Sequence, residues 1–209
     1  MKSIAVPAMT RRLTVAVLCT VALLSSAAVH AAQTALPGQL QSRDSTMEAR
    51  WRQIQQTIDP EIVIGFSDEF RRDYPNSRYR QANQRLQVGA RKALRAQQEA
   101  RLSSEALDDP AGDVTYRADL VKAMRGDKDA AYRVSLMYRH ASHGLAKNPQ
   151  RRAQWLRIAA ELGNGRASWE VANIYNRDGA MAEAARFEAK AVRDGFRIPP
   201  RMPNRGLGY

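Results

Sequence analysis

The chain has 209 residues, with 33 Lys and Arg against 21 Asp and Glu, a net charge of +12 and one cysteine, Cys19. A single cysteine cannot close an intrachain disulfide or build a thiolate metal cluster, so any folded domain must be held by its apolar core. Cys19 lies in an N-terminal apolar run, and removal of that run would exclude a cysteine nucleophile as well.

Lys2, Arg11 and Arg12 precede an uncharged stretch of 17 residues, 13–29, and the small residues Ala31 and Ala32 follow. A stretch of that length is near the lower limit for spanning a bilayer, and the small-residue ending predicts a signal peptide, residues 1–31, cleaved after Ala31. Leu18 stands before Cys19 where bacterial lipidation wants a small residue, so the expected product is a periplasmic protein and not a lipoprotein. Cleavage removes three basic residues and no acidic one, leaving 30 basic against 21 acidic. An exported cationic chain meets no nucleic acid to speak of; its anionic partners are lipid head groups, acidic polysaccharide, peptidoglycan and acidic protein surfaces.

Residues 32–45 are polar, carry Pro37 and Gly38 and show no periodicity, which predicts a flexible leader. From there Met47, Trp51, Ile54 and Ile58 recur at helical spacing, with Ser45 or Thr46 as the expected N-cap, until Asp59-Pro60 breaks the run. Pro60 opens a second helix whose apolar face is Ile62, Val63, Phe66 and Phe70, and Pro75-Asn76-Ser77 stops it. A third, long helix over 78–106 carries the narrow stripe Tyr79, Ala82, Leu86, Ala90, Ala93 and Ala100, suited to close packing on one partner. Residues 46–107 are thus expected to form one helical module, and the turn-rich 108–114 a linker. Five shorter helices follow, over 115–125, 128–142, 149–162, 166–177 and 180–193. No alternating β pattern of useful length occurs, so the expected fold is all-α, a short solenoid of antiparallel helix pairs. Residues 196–209, with Pro199, Pro200, Pro203, Arg197, Arg201 and Arg205, read as an extended tail.

Residues 115–195 contain an internal repeat. Gly126-Asp127 through Tyr138 lies over Gly163-Asn164 through Tyr175 at an offset of 37 residues, a period that marks stacked helical units. Ala131, Val134, Ser135 and Tyr138 match Ser168, Val171, Ala172 and Tyr175, so each copy places one small and one aromatic residue on one face. In the second helices Ala153, Trp155, Ala159 and Ala160 match Ala185, Phe187, Ala191 and Val192.

With Gly144-Leu145-Ala146-Lys147-Asn148 between the helices and Ala159-Ala160-Glu161-Leu162-Gly163-Asn164 closing the unit, residues 118–195 resemble a Sel-one-like repeat of the tetratricopeptide superfamily. Ser135 and Ala172 stand where that pattern has glycine, and Ala141 and Asn148 where it has Gly and Asp. The segment from Phe66 to Tyr79, followed by Ala82, is similar to tetratricopeptide-like units of envelope proteins. The resemblance implies a scaffold that binds a protein partner in an envelope assembly, secretion or polysaccharide machine. It also implies that the first helix of each pair lines a concave groove, which singles out Tyr132, Arg139 and His140 in one copy and Trp169, Asn173, Asn176 and Arg177 in the next. Aromatic and arginine side chains supply most of the binding energy in such surfaces.

A second candidate surface is basic. Between residues 71 and 101 there are nine basic and two acidic residues, and Arg78, Arg85 and Lys92 recur every seven positions with Arg91 and Arg95 beside them. This face, extended by the arginines of the tail, suits an acidic polysaccharide or an anionic membrane surface. Catalysis has little to rest on: no nucleophile elbow, phosphate loop or metalloprotease motif is present. His140 and His143 have no third ligand near them in sequence. The expectation is a non-enzymatic protein without metal or cofactor.

Overall fold

The computed structural model describes residues 37–199; the expected signal peptide, its cleavage site and the tail beyond 199 lie outside the described residues. Among the described residues the protein is all-helical, with eight α-helices, one short 3-10 turn and no strand. No helix in this range is long and apolar enough to cross a membrane. The chain divides between Thr46 and Met47 into two compact units.

The first helix, α1 (Pro37–Gln56), begins well before Thr46. The stretch expected as a flexible leader is therefore helical from Pro37 onward. Ser45 and Thr46 are not caps: their hydroxyls donate to the carbonyl of Ser42 at 2.9 and 2.8 Å, the back-bonding open to Ser and Thr inside a helix.

In the second unit, α2 (Pro60–Asp73) is capped by Asp59, whose carboxylate accepts from the Glu61 N–H. Its buried face is Pro60, Val63, Ser67 and Phe70, whereas Ile62 is 47% exposed. Helix α3 (Arg80–Glu99) departs from its expected alanine stripe in the same way: it buries Asn83, Gln87 and Gln97 beside Ala90, Ala93 and Ala96. Their amide nitrogens find partners, although Asn83 Oδ1 and Gln97 Oε1 are buried with no hydrogen-bond partner among the described residues. Asn83 Nδ2 donates to the Ser67 carbonyl at 2.9 Å, and Gln87 Nε2 to Asp68 Oδ1 at 2.7 Å. Ser67 leaves room for that crossing, and the stripe shifts by one position to take it.

Helix α3 ends at Glu99 and does not continue to residue 106. Arg101 adopts φ +53°, and the N–H groups of Arg101 and Leu102 return to the carbonyls of Gln98 and Gln97, the paired bonds of a Schellman stop. Leu102, only 4% exposed, is thereby driven into the core. Residues Ser104–Ala106 form the 3-10 turn.

The remaining helices are α4 (Val114–Ala123), α5 (Lys128–His140), α6 (Pro149–Glu161), α7 (Gly165–Arg177) and α8 (Met181–Arg193). All five lie within two residues of their expected limits. The repeat dipeptides set two of the junctions, α4 to α5 and α6 to α7. Gly126 and Gly163 sit at φ +88° and +98°, and the next residue's N–H returns to the carbonyl of Lys122 or Ala159 to stop one helix. That next residue, Asp127 or Asn164, then caps the following helix through its side chain. Each Gly-Asp or Gly-Asn pair thus ends one helix and begins another within two residues.

Two apolar clusters result. The smaller joins Trp51, Ile54, Val63, Phe70 and Ala90 from α1, α2 and α3. The larger runs from Ala96, Ala100, Leu102 and Leu107 through Tyr116, Tyr138, Trp155 and Phe187. Helix α3 belongs to both. Its Gly89 has no room for a side chain, since a Cβ there would lie 2.0 Å from the carbonyl oxygen of Arg125 at the end of α4. The expected linker 108–114 is strapped onto this assembly. The Tyr116 hydroxyl donates to the Leu107 carbonyl at 3.0 Å and accepts from the Asp109 N–H at 3.2 Å.

Candidate functional site

The expected concave-groove aromatics are engaged by the chain itself. Tyr132 is 9% exposed, and its hydroxyl donates to Glu170 Oε1 at 2.6 Å while the Arg166 guanidinium lies 5.7 Å above its ring. Arg152 reaches the other oxygen of Glu170 at 3.1 Å, so this cluster ties α5, α6 and α7 together. Burial, and the hydrogen bond to an anion, push the Tyr132 hydroxyl up to about 12. Trp169 is half-buried with its ring 5.5 Å from that of Phe196, the first residue of the expected tail, which folds back to cover it. Asn176 donates to Glu188 at 3.0 Å. Arg139, His140 and Arg177 are exposed and Asn173 is half-buried.

A different groove opens where α3, α6 and α8 meet. Helix α3 sends Lys92, Arg95 and Glu99 to it at spacing i, i+3, i+7, and α8 sends Arg186, Lys190 and Arg193 at i, i+4, i+7. Those spacings put each trio on one face of its helix. The groove has a volume of about 890 Å³, and its floor includes Glu161, Leu162, Ala96 and Ala189. Five cations thus line a cleft that contains two carboxylates.

The two carboxylates differ. Glu161 is 19% exposed and holds Lys190 at 3.2 Å, Arg157 at 3.5 Å and Arg186 at 3.6 Å. Glu99 is 62% exposed and, among the described residues, pairs with Arg157 alone, at 3.6 Å. Arg157 also donates to the Tyr175 hydroxyl at 2.5 Å, and it and Arg186 place their guanidinium groups 5.0 and 4.9 Å from the Phe187 ring centroid. Lys92 and Arg95 are exposed and have no carboxylate partner among the described residues.

Glu99 also borders a second cavity, of about 610 Å³, lined by Ala100, Arg101, Gln154, Val171, Ile174 and Tyr175 among others. The two hollows share Glu99 as a sill, with Arg157 behind it. Both fall in the size range of ligand clefts.

Of the expected basic surface, the fold brings Lys92 and Arg95 into this groove. Arg85 and Arg91 are exposed elsewhere on α3, and Arg78 is ion-paired with Glu48 and lies 5.1 Å over the Tyr79 ring. The residues that sequence reasoning passed over are Arg157, Glu161, Arg186, Lys190 and Arg193. Their signal was present as a cationic i, i+4, i+7 stripe on α8, but only packing puts that stripe opposite Lys92 and Arg95. No protein-family model, curated protein or solved structure matches this chain.

Proposed function

We propose that this protein is a non-enzymatic adaptor, a short solenoid of tetratricopeptide-like and Sel-one-like helix pairs exported to the periplasm. There it binds a protein partner of a cell-envelope machine. The observation that carries the reading is the convergence of Lys92, Arg95, Arg186, Lys190 and Arg193 on one open cleft of about 890 Å³. Two of these, Lys92 and Arg95, have no carboxylate partner among the described residues, and neither adds to the fold's own ion pairs. Charge held at the rim of a cleft in this way raises the on-rate for an oppositely charged partner and sets its register.

The test is proximity cross-linking in intact cells from a photoreactive residue placed at Ala189, at the groove, and at Arg139 on α5. A discrete cross-linked protein from Ala189 that disappears in a Lys92→Glu/Arg193→Glu variant is the expected result. Absence of any cross-linked protein from both positions sinks the adaptor reading. The exposed Arg85 and Arg91, outside the cleft, favour a second reading, attachment to an acidic glycan or anionic lipid surface. Its mark is salt-sensitive retention on anionic vesicles that persists in the same double variant.

A further inference from the structure

We infer that the occupant of this groove is an acidic peptide segment with apolar residues between its carboxylates, and that Glu99 is a resident competitor for it. The inference rests on the adaptor reading and names the chemistry of the partner.

The argument begins with the pattern of charge. Lys92, Arg95 and Arg193 are exposed; Arg193 has only its neighbour Asp194, 3.8 Å away, and the other two have no carboxylate partner among the described residues. Such groups take up an incoming carboxylate with little loss of existing bonds. Glu161 cannot be displaced so readily, because it is largely buried and shared among three cations. It stands as a fixed negative charge on the floor. A polymer with an anion on every unit would press one of its charges against Glu161, whereas a peptide with spaced carboxylates can straddle it. The apolar floor argues the same way. Ala96, Leu162 and Ala189 in one hollow, and Ala100, Val171 and Ile174 in the other, offer apolar side chains a contact that a polar glycan cannot use.

Glu99 occupies the position a ligand carboxylate would take on Arg157. The pair spans α3 and α6 at 3.6 Å with Glu99 62% exposed, so it is weak and exchangeable. Arg157, in contrast, is held in place by Tyr175, Glu161 and the Phe187 ring. A ligand carboxylate that displaces Glu99 therefore meets an arginine already oriented, and the sill between the two hollows opens to let one segment run through both.

The probe is a fluorescent peptide alternating glutamate with leucine, titrated against the full exported chain by polarisation. An all-glutamate peptide, a leucine–lysine peptide and an acidic glycan are run beside it. The expected result is binding of the glutamate–leucine peptide that weakens by about tenfold in Lys92→Glu/Arg193→Glu and strengthens by about two- to fivefold in Glu99→Gln. Circular dichroism shows whether each variant keeps its helices, and Arg85→Glu/Arg91→Glu serves as the control with equal charge change outside the groove. Any of the following results overturns the inference. They are equal loss in Arg85→Glu/Arg91→Glu, weaker binding in Glu99→Gln, and binding of the all-glutamate peptide or the glycan at least as tight as that of the alternating peptide. If the peptide fails while Ala189 still cross-links a partner in cells, the inference falls and the adaptor reading stands. If the peptide binds and no partner is ever cross-linked, the adaptor reading falls alone.

Discussion

Ionising Tyr132 would place its phenolate 2.6 Å from the Glu170 carboxylate in a buried site. The folded protein therefore keeps that proton up to about 12, while an unfolded tyrosine loses it near 10.0. The folded state holds the extra proton between these values, so this contribution to stability is whole below about 10 and falls as pH rises toward 12. Burial raises Tyr116 and Tyr138 in the same direction. Denaturant melts at rising pH should show a steep alkaline loss, part of which is absent in Tyr132→Phe; an unchanged profile would remove Tyr132 from the interface. At the same scale, Gly89→Ala forces a methyl to within 2.0 Å of the Arg125 carbonyl oxygen, while at Gly65 the same methyl meets nothing within 4 Å. We expect Gly89→Ala to cost about 1–3 kcal/mol and Gly65→Ala to stabilise by roughly 0.5–1 kcal/mol, both read from urea midpoints.

Five side chains cap helices among the described residues: Asp59, Asp113, Asp127, Asn148 and Asn164. Asp127 and Asp113 each accept from two backbone N–H groups, and Asn164 from one. Replacing Asp127 by Ala should cost about 1 kcal/mol. Asn164→Ala should cost more, because Nδ2 also donates to Asp129 Oδ1 at 2.9 Å and so joins the start of α7 to the start of α5. Asp113 behaves differently with pH. The Tyr116 N–H above all, with help from His143 and the Thr115 N–H, holds its carboxyl below the usual 3.8, against an opposing effect of desolvation. A depressed folded value means that the cap contributes fully above about 3.8 and is lost as pH falls through the lower folded value. Acid unfolding followed by circular dichroism should therefore be shallower in Asp113→Asn, which keeps a capping oxygen but has no proton to take up. An identical acid limb in the two proteins would show that Asp113 does not contribute to it.

The larger core is shared between the block before residue 108 and the repeats after it. Ala96, Ala100, Leu102 and Leu107 come from the first block and Tyr116, Tyr138, Trp155 and Phe187 from the second. A fragment beginning at residue 108 exposes the face those four residues cover and lacks the wall of the groove that carries Lys92 and Arg95. We expect it to bind a hydrophobic dye and to melt without a cooperative transition, whereas the chain from residue 32 melts in one step. Two separate transitions of the longer chain would show instead that the blocks fold independently. At the other end of the described residues Val192 is 59% exposed where its counterpart in the repeat, Ala160, is fully buried. No further helix pair follows within the described residues to cover it.

The amino-acid sequence by itself determined the all-helical class and the five shorter helices to within two residues. At the α4–α5 and α6–α7 junctions it did so because Gly-Asp and Gly-Asn stop and start a helix through local backbone and side-chain bonds, which need no distant partner. Helical periodicity likewise placed Trp51, Ile54, Val63, Phe70, Val134 and Trp155 inside. It failed where burial depends on a neighbour. Asn83 and Gln87 read as surface residues until their amide nitrogens meet the Ser67 carbonyl and the Asp68 carboxylate, and Ile62 reads as core until α2 turns it outward. The same limit applied to the site. Tyr132 and Trp169 had the chemistry of binding residues, but Glu170 and Phe196, 38 and 27 positions along the chain, occupy them. Lys92 and Arg95 were legible as a basic face, yet the groove exists only because α8 crosses opposite α3. A charged stripe shows in the local spacing of one helix, but which second stripe it faces is set by how helices far apart in sequence pack on a shared core.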